Sequence, residues 1–434
     1  MHNTTMRRFF SRFFKSLTQR AIFSFEQFSR HEMANHAAAG AYSFLMSAIP
    51  AVLVILFISS RAIVAVDPDV ILDAIVPFIG AIGVRSAIET FVTTPLAGFT
   101  GAFGIVSLIW AARLFVVSIQ RGIRVIHADS EKASPVRENL LTFAVELIVI
   151  IAIVLIIAAR QVAKAALATI DWAPAAEFIG FAVRTSIHIV PFASLWLFVF
   201  LTYKNVPQHK PRLVHAAISS ALCLASYAAL GGLLGLTLDT DRYGLLYGIL
   251  GNLIVGLIKV YFFFWLYFFF AELCYTIENF DSLLFTRFHK VAVAGEESGR
   301  IERALFAEPG RLFKRYSRVY GAGTTIFSRG DEDRSALYLY RGAVELFLPG
   351  SEGDAGTRIS VVDEGEFFGE MAYLLEEPRS ANAIAMDDCT VFVLPPVLFE
   401  SFLSRDASTS RHLVELMAAR LKANNERLSQ AGVE

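Results

Sequence analysis

The stretch FFGEMAYLLEEPRSANAIA, residues 367–385, decides how the C-terminal part of this chain is read. Gly369 stands beside Glu370, and nine residues after that glutamate comes Arg379, followed by the small residues Ser380 and Ala381. A glycine lets backbone approach a ligand with no side chain in the way. An ionised carboxylate accepts a hydroxyl proton more strongly than a neutral acceptor does. A guanidinium offers a planar fork to two oxygens of an anion, which a lysine cannot match. A short helix opening near Met371, with Ala372 in its first turn, points free N–H groups at an anion. The combination suits a ligand that is both sugar and anion.

Working outward, the flanking sequence alternates like a small β domain. YGAGTTIFSRGDEDRSALYLYRGAVELFL reads as strand, turn, strand, turn, strand, punctuated by glycines at 321, 323, 330 and 342. TRISVV (357–362) and TVFVLP (390–395) supply further strands. The final stretch, STSRHLVELMAARLKANNERL, has helical spacing, with Leu413, Leu416, Met417, Leu421 and Leu428 on an apolar stripe and Ser408 or Thr409 as candidate N-cap.

This half resembles the cyclic-nucleotide-binding domain of bacterial cAMP-responsive regulators, cyclic-nucleotide-dependent kinases and gated channels. IFSRGD (326–331), LYLYRGAVEL (337–346) and above all FGEMAYLL…PRSA (368–381) carry the resemblance, over about 306–428. It implies a β-roll that holds a cyclic phosphodiester on a ribose. Glu370 would accept the ribose 2′-hydroxyl, Arg379 would hold the phosphate, and Gly369, Met371, Ala372, Ser380 and Ala381 would form the cradle. Met417 and Leu421 would belong to a lid helix over the base, with core packing as their alternative role. cAMP is favoured over cGMP, and no further cofactor is implied. No helix-turn-helix follows the lid in this sequence, so a transcription-factor reading is set aside.

What precedes is far oilier. Of the 434 residues, 55% are hydrophobic and 18% charged, with 38 phenylalanines, too apolar for an ordinary soluble protein. The net charge of −1 gives no basis for a nucleic-acid partner. The three cysteines, Cys223, Cys274 and Cys389, lie far apart and fit neither a disulfide framework nor a zinc site. Six stretches reach the length of a membrane-crossing helix: 37–60, 98–119, 140–159, 182–203, 213–237 and 248–271. Small residues in the first, second and fifth suit close helix packing, and they permit a homo-oligomer. Arg and Lys crowd the N-terminal segment, the second-to-third loop and the fourth-to-fifth loop, so both ends are placed in the cytosol. The basic, aromatic start MRRFFSRFFKSL reads as a retained cytosolic segment on the membrane surface.

The six-span half resembles the YihY/BrkB family of bacterial inner-membrane proteins. Its matching stretches are AAAGAYSFLMSAIP (37–50), WAARLFVVSIQRGI (110–123), LTYKNVPQHKPR (201–212) and YGILGNLIVGLIKVYFFFWLYFFFAEL (247–273). The expected fold class is thus an α-helical integral membrane domain of six transmembrane helices followed by a soluble α+β cyclic-nucleotide-binding β-roll. The expected domains are a cytosolic segment 1–36, a membrane domain 37–280, a linker 281–305 and a nucleotide-binding domain 306–434. Histidines are scattered, with His31, Glu32 and His36 the nearest approach to a ligand cluster, so a metal-dependent nuclease reading is rejected and no enzyme is expected. Charges within spans are functional candidates. Arg113 and Glu146, each about 9 Å below the cytosolic surface, form a candidate ion pair, and Lys259 lies mid-span. His188 and Glu272 are expected at the interface. The functions this predicts are a transporter or permeability factor adjusted by cyclic nucleotide, a nucleotide-gated channel, or a scaffold whose roll recruits partners.

Overall fold

The computed structural model describes residues 2–61, 98–127, 173–237, 240–348, 357–405, 411, 414, 415, 418 and 422. Two compact units divide the chain: Arg20–Glu278 forms one, and Met1–Gln19 with Asn279–Glu434 forms the other.

Arg20–Glu278 is helical wherever it is described at length. After the end of α1 (His2–Arg30) come α2 (Met33–Arg61), α3 (Gly98–His127), α4 (Ala173–Asn205), α5 (Leu213–Thr237) and α6 (Thr240–Glu278). Five of the six expected apolar stretches fall in α2 to α6, and 140–159 lies outside the described residues. Among the described residues, Leu213–Leu234 and Ile254–Glu278 are long and apolar enough to cross a membrane. The aromatic run of α6 supplies the core: Phe264, Tyr267 and Phe268 are fully buried among Ala37, Ala41, Phe115, Ile119 and Tyr203. Small residues let the helices close on it. A Cβ at Gly40 would sit 3.0 Å from Phe264 Cδ1, and one at Gly122 would overlap the Phe268 ring. Gly231 and Gly232 of α5, by contrast, face open space. Apolar side chains also stand outward, among them Phe181, Phe192 and Trp196 on α4 and Val214, Ile218 and Leu222 on α5. So much exposed apolar surface is costly in water and inexpensive in lipid.

Glu272, expected at the membrane interface, is 0% exposed within the protein, and its Oε1 lies 2.5 Å from His31 Nδ1. His31 and Glu32 form the turn that breaks α1 from α2, with Glu32 at φ +52°. Among the described residues no group of histidine, cysteine and carboxylate side chains is placed to hold a metal. Arg113 is exposed on α3 and Lys259 half-buried on α6, while Glu146 and the side chain of His188 lie outside the described residues.

The second unit opens with α7 (Phe280–Ala294), a 3-10 turn (Gly295–Glu297), α8 (Arg300–Phe306) and α9 (Gly310–Tyr316). Residues 281–305 were expected as a linker and are instead mostly helix. Their helical periodicity buries Phe285 and Phe288, which pack on Tyr338 and Phe392; Phe285 also meets Phe367 and Phe402. Asp281 ties α7 to α9 through Arg311, Arg315 and the Tyr316 hydroxyl. The N-terminal segment is seated here too: Lys15 Nζ donates to Ala304 O (2.8 Å) and Gln19 Nε2 to Leu305 O (2.7 Å). Those carbonyls belong to the last turn of α8, which has no intrahelical donors for them.

Two four-stranded antiparallel sheets follow. One has the order β1 (Ser317–Tyr320), β8 (Cys389–Leu394), β3 (Ala336–Arg341), β6 (Phe367–Phe368); the other runs β2 (Thr325–Phe327), β7 (Asn382–Ala385), β4 (Val344–Leu348), β5 (Thr357–Val362). Their inner faces share Leu337, Leu339, Val344, Val362, Phe368, Ala383 and Val391. In β3 the alternate residue Tyr338 is also buried, because α7 covers the outer face, which explains why ALYLY is apolar without interruption. The β3–β4 turn requires Gly342: its φ is +98°, and a Cβ there would lie 2.6 Å from Asp387 Oδ1. α10 (Met371–Leu374) is the expected short helix, and α11 (Pro396–Arg405) closes the roll. The described residues of the terminal stretch, Arg411, Val414, Glu415, Ala418 and Lys422, are helical; Met417 and Leu421 lie outside them.

Candidate functional site

Three segments of the roll converge on Arg379. The first is the β6–α10 corner. Gly369 takes φ +68°, and a Cβ on it would sit 2.6 Å from Arg379 Nη1, 2.9 Å from Leu337 Cδ1 and 3.2 Å from Phe327 Cε1. Both the left-handed backbone and the crowding demand glycine. Glu370 follows as N-cap of α10, its carbonyl accepting from the amides of Tyr373 and Leu374. Its residue is 4% exposed. The amides of Met371 and Ala372, the first of the helix, have no intrahelical carbonyl to meet. Ala372 is buried and Met371 exposed.

The second segment carries Arg379 itself, 3% exposed. Its Nη1 donates to Gly369 O (2.6 Å) and its Nη2 to Ser335 O (2.7 Å). The guanidinium carbon lies 4.5 Å from the Phe327 ring centroid, a cation–π contact that fixes its plane. The fork expected to be offered to two oxygens of an anion thus has each terminal nitrogen bonded to a backbone carbonyl. Nε is buried and has no hydrogen-bond partner among the described residues. A buried donor left without an acceptor is costly unless something fills its place, and an anionic oxygen is the strongest candidate. Ser380 is exposed and Ala381 buried beside it.

The third segment is the loop 328–335. Gly330 N donates to Arg379 O (2.8 Å) and Arg379 N to Asp331 O (2.9 Å), so loop and arginine are joined in both directions. Asp331 Oδ2 accepts from Ser328 N (2.7 Å), and Asp333 Oδ1 from Ser335 N (3.0 Å). Asp333 Oδ2 then stands 3.6 Å from Arg379 Nη2. Burial pushes the Arg379 guanidinium below the ordinary arginine value, while the carboxylates of Asp333, Asp331 and Glu370, in that order, pull it back up. The arginine remains a cation at any physiological pH, in the field of three carboxylates.

The sequence reading brought Gly369, Glu370 and Arg379 together but missed Phe327, Asp333 and the Ser335 carbonyl. An aromatic and an acidic loop upstream of the cassette were visible as residues. Their approach to Arg379 is a product of β2–β7 pairing, which sets Thr325 against Ile384 and Phe327 against Ala383, far apart in sequence.

Comparison with known proteins agrees with this division. The cyclic nucleotide-binding domain family matches residues 317–406. Glutaminase 1 of Bradyrhizobium diazoefficiens is 36% identical over 115 residues, 26% of this chain and 18% of that protein. The cyclic AMP receptor protein of Thermus thermophilus is 32% identical over 105 residues, 24% of this chain and 48% of that one. The chain thus spans less than half the length of either relative. The crystal structure of Thermus thermophilus catabolite activator protein aligns at 28% identity and a TM-score of 0.26, covering 29% of this chain and 59% of that one. The family described as virulence factor BrkB matches residues 24–286, well over half the chain. This protein belongs to the BrkB family, its membrane domain joined to a C-terminal cyclic nucleotide-binding domain.

Proposed function

We propose that this is a membrane transporter or permeability factor whose activity is set by a cyclic nucleotide, cAMP in preference to cGMP, bound at the C-terminal unit. One observation carries the nucleotide part of that reading. A buried guanidinium with an unpartnered Nε lies beside a buried glutamate, at a glycine that tolerates no side chain. Arg379 holds the cyclic phosphate, Glu370 accepts the ribose 2′-hydroxyl, and the amides of Met371, Ala372 and Ala381 with Ser380 complete the cradle.

The membrane part rests on the BrkB match and on the outward-facing apolar side chains of α4 and α5. In this reading the chain crosses the inner membrane six times with both ends in the cytoplasm. Lys259 and the pair Arg113–Glu146 are polar positions along its path, and the open small-residue face at Gly231 and Gly232 admits a second copy. No catalytic step is assigned, since the matched domains serve membrane and ligand-binding roles. Nucleotide can regulate only by binding one state of the protein better than another, typically by about 1–3 kcal/mol of coupling.

The test is calorimetric titration of the purified full chain with cAMP and cGMP, beside Arg379→Ala. Saturable heat from the wild type that is absent in the variant supports the site. Equal heats from both would remove it.

A further inference from the structure

The arginine in this site is outnumbered. Around its single positive charge stand Asp331 and Asp333 from the loop 328–335 and Glu370 from α10, and all three act on it electrostatically. Asp331 is turned into its own loop by the Ser328 amide. Glu370 is buried under the cassette. Asp333 differs from both. Its side chain is 62% exposed, one oxygen is anchored by the Ser335 amide, and the other stands 3.6 Å from Arg379 Nη2 without closing to a hydrogen bond. It is a negative charge at the rim, beside the guanidinium whose Nε is left for an anion. A second rim pair, Arg334 Nη1 with Glu376 Oε2 at 3.7 Å, adds one charge of each sign and no net charge.

We propose that Asp333 is a specificity-determining residue that selects for the charge of the phosphate, admitting a monoanionic cyclic diester and rejecting dianionic nucleotide monoesters. The inference rests on the nucleotide-binding reading above. A cyclic phosphodiester carries one negative charge, and Arg379 balances it. A 5′-monophosphate carries close to two at neutral pH, its second ionisation lying near pH 6. Coulomb energy is linear in ligand charge, so whatever factor Asp333 imposes on a monoanion is squared for a dianion. A backbone amide holds one Asp333 oxygen in the loop, which favours keeping the charge at the rim beside Arg379. The pocket thereby distinguishes an intact cyclic messenger from its ring-opened product by charge, independently of the fit of sugar and base.

The experiment compares cAMP and AMP binding to the full chain in detergent, at pH 8 and at pH 5, for wild type, Asp333→Asn and Asp333→Glu. Asparagine keeps the acceptor for the Ser335 amide and removes only the charge. At pH 8 it should strengthen cAMP binding about threefold and AMP binding about tenfold, shrinking the preference for cAMP. At pH 5 AMP is mainly monoanionic and the two gains should converge. Glutamate should restore the wild-type preference. Equal gains for both ligands at pH 8, or none, would overturn the role of Asp333 while leaving the pocket in place. Failure of the wild type to bind cAMP at all would instead overturn the nucleotide reading beneath it.

Discussion

Replacing Gly369 by alanine separates two contributions that the fold combines at that corner. The first is backbone: an L-residue held at φ +68° costs roughly 1 kcal/mol relative to glycine. The second is contact. The new Cβ would stand 2.6 Å from Arg379 Nη1 and 2.9 Å from Leu337 Cδ1, and Leu337 is buried in the roll. The guanidinium is the group that must yield, and yielding breaks its bond to Gly369 O. A hydrogen bond to a charged group is worth about 1.5–3 kcal/mol. The backbone cost falls on stability, while the contact cost of about 1.5–3 kcal/mol is roughly ten- to a hundredfold in affinity if it falls on ligand binding. Gly365→Ala is the matched control, because Gly365 also has positive φ, +89°, but a Cβ there meets nothing within 4 Å. Calorimetric titration with cAMP and thermal unfolding of both variants should show a small loss of stability in each. Only Gly369→Ala should lose most of its nucleotide affinity. If the two variants behave alike, the close approach at Gly369 is not what organises Arg379.

Arg379→Lys should fail to restore cAMP binding lost in Arg379→Ala, since one ammonium cannot serve Gly369 O, Ser335 O and the ligand together; calorimetry checks it. His31→Ala strands a wholly buried Glu272 without its partner and should destabilise the detergent-solubilised protein by about 3 kcal/mol in thermal unfolding, with His31→Ala/Glu272→Gln recovering part of the loss. Phe285→Ala empties a site ringed by Phe288, Tyr338, Phe367, Phe392 and Phe402 and should cost about 3–5 kcal/mol in denaturant unfolding of the nucleotide-binding unit. The Tyr316 hydroxyl is pushed up to about 12 by burial and by Asp281. Its folded value exceeds its unfolded value of 10.0, so its contribution is complete below pH 10 and is lost as pH rises toward 12; Tyr316→Phe should flatten that part of the stability profile.

The roll was legible because its strands alternate and its turns need glycine. TRISVV was read as a strand at 357–362, the bounds of β5, and Gly323, Gly330 and Gly342 all take positive φ. The two-residue β6 carries no periodicity of its own and is defined by pairing with Leu337 and Tyr338. α7 was hidden for a different reason. Its Phe285, Phe288 and Val291 have helical spacing, but the polar run that follows gives the segment the look of a connector until the outer face of β3 is seen to need a cover. At the site, the resemblance of the cassette to the cyclic-nucleotide-binding domain pointed to Glu370 and Arg379. Ser335 could not be found that way, since it contributes a backbone carbonyl that any residue would supply. In the helical unit the spacing of apolar runs placed α2 to α6, whereas the meeting of His31 with Glu272 spans 241 positions and leaves no local trace.

The seat of the N-terminal segment on α8 has a consequence for how this protein is made. Lys15 and Ala304 are separated by 289 positions, so this segment leaves the ribosome well before the apolar helices that follow it and before its docking carbonyls exist. Completion of the nucleotide-binding unit is therefore a late event that cannot finish during translation of the membrane half. A chaperone, a fused tag or a bulky reporter that engages the first twenty residues would compete with that closing step, and proteins labelled at that end should mature more slowly than proteins labelled elsewhere.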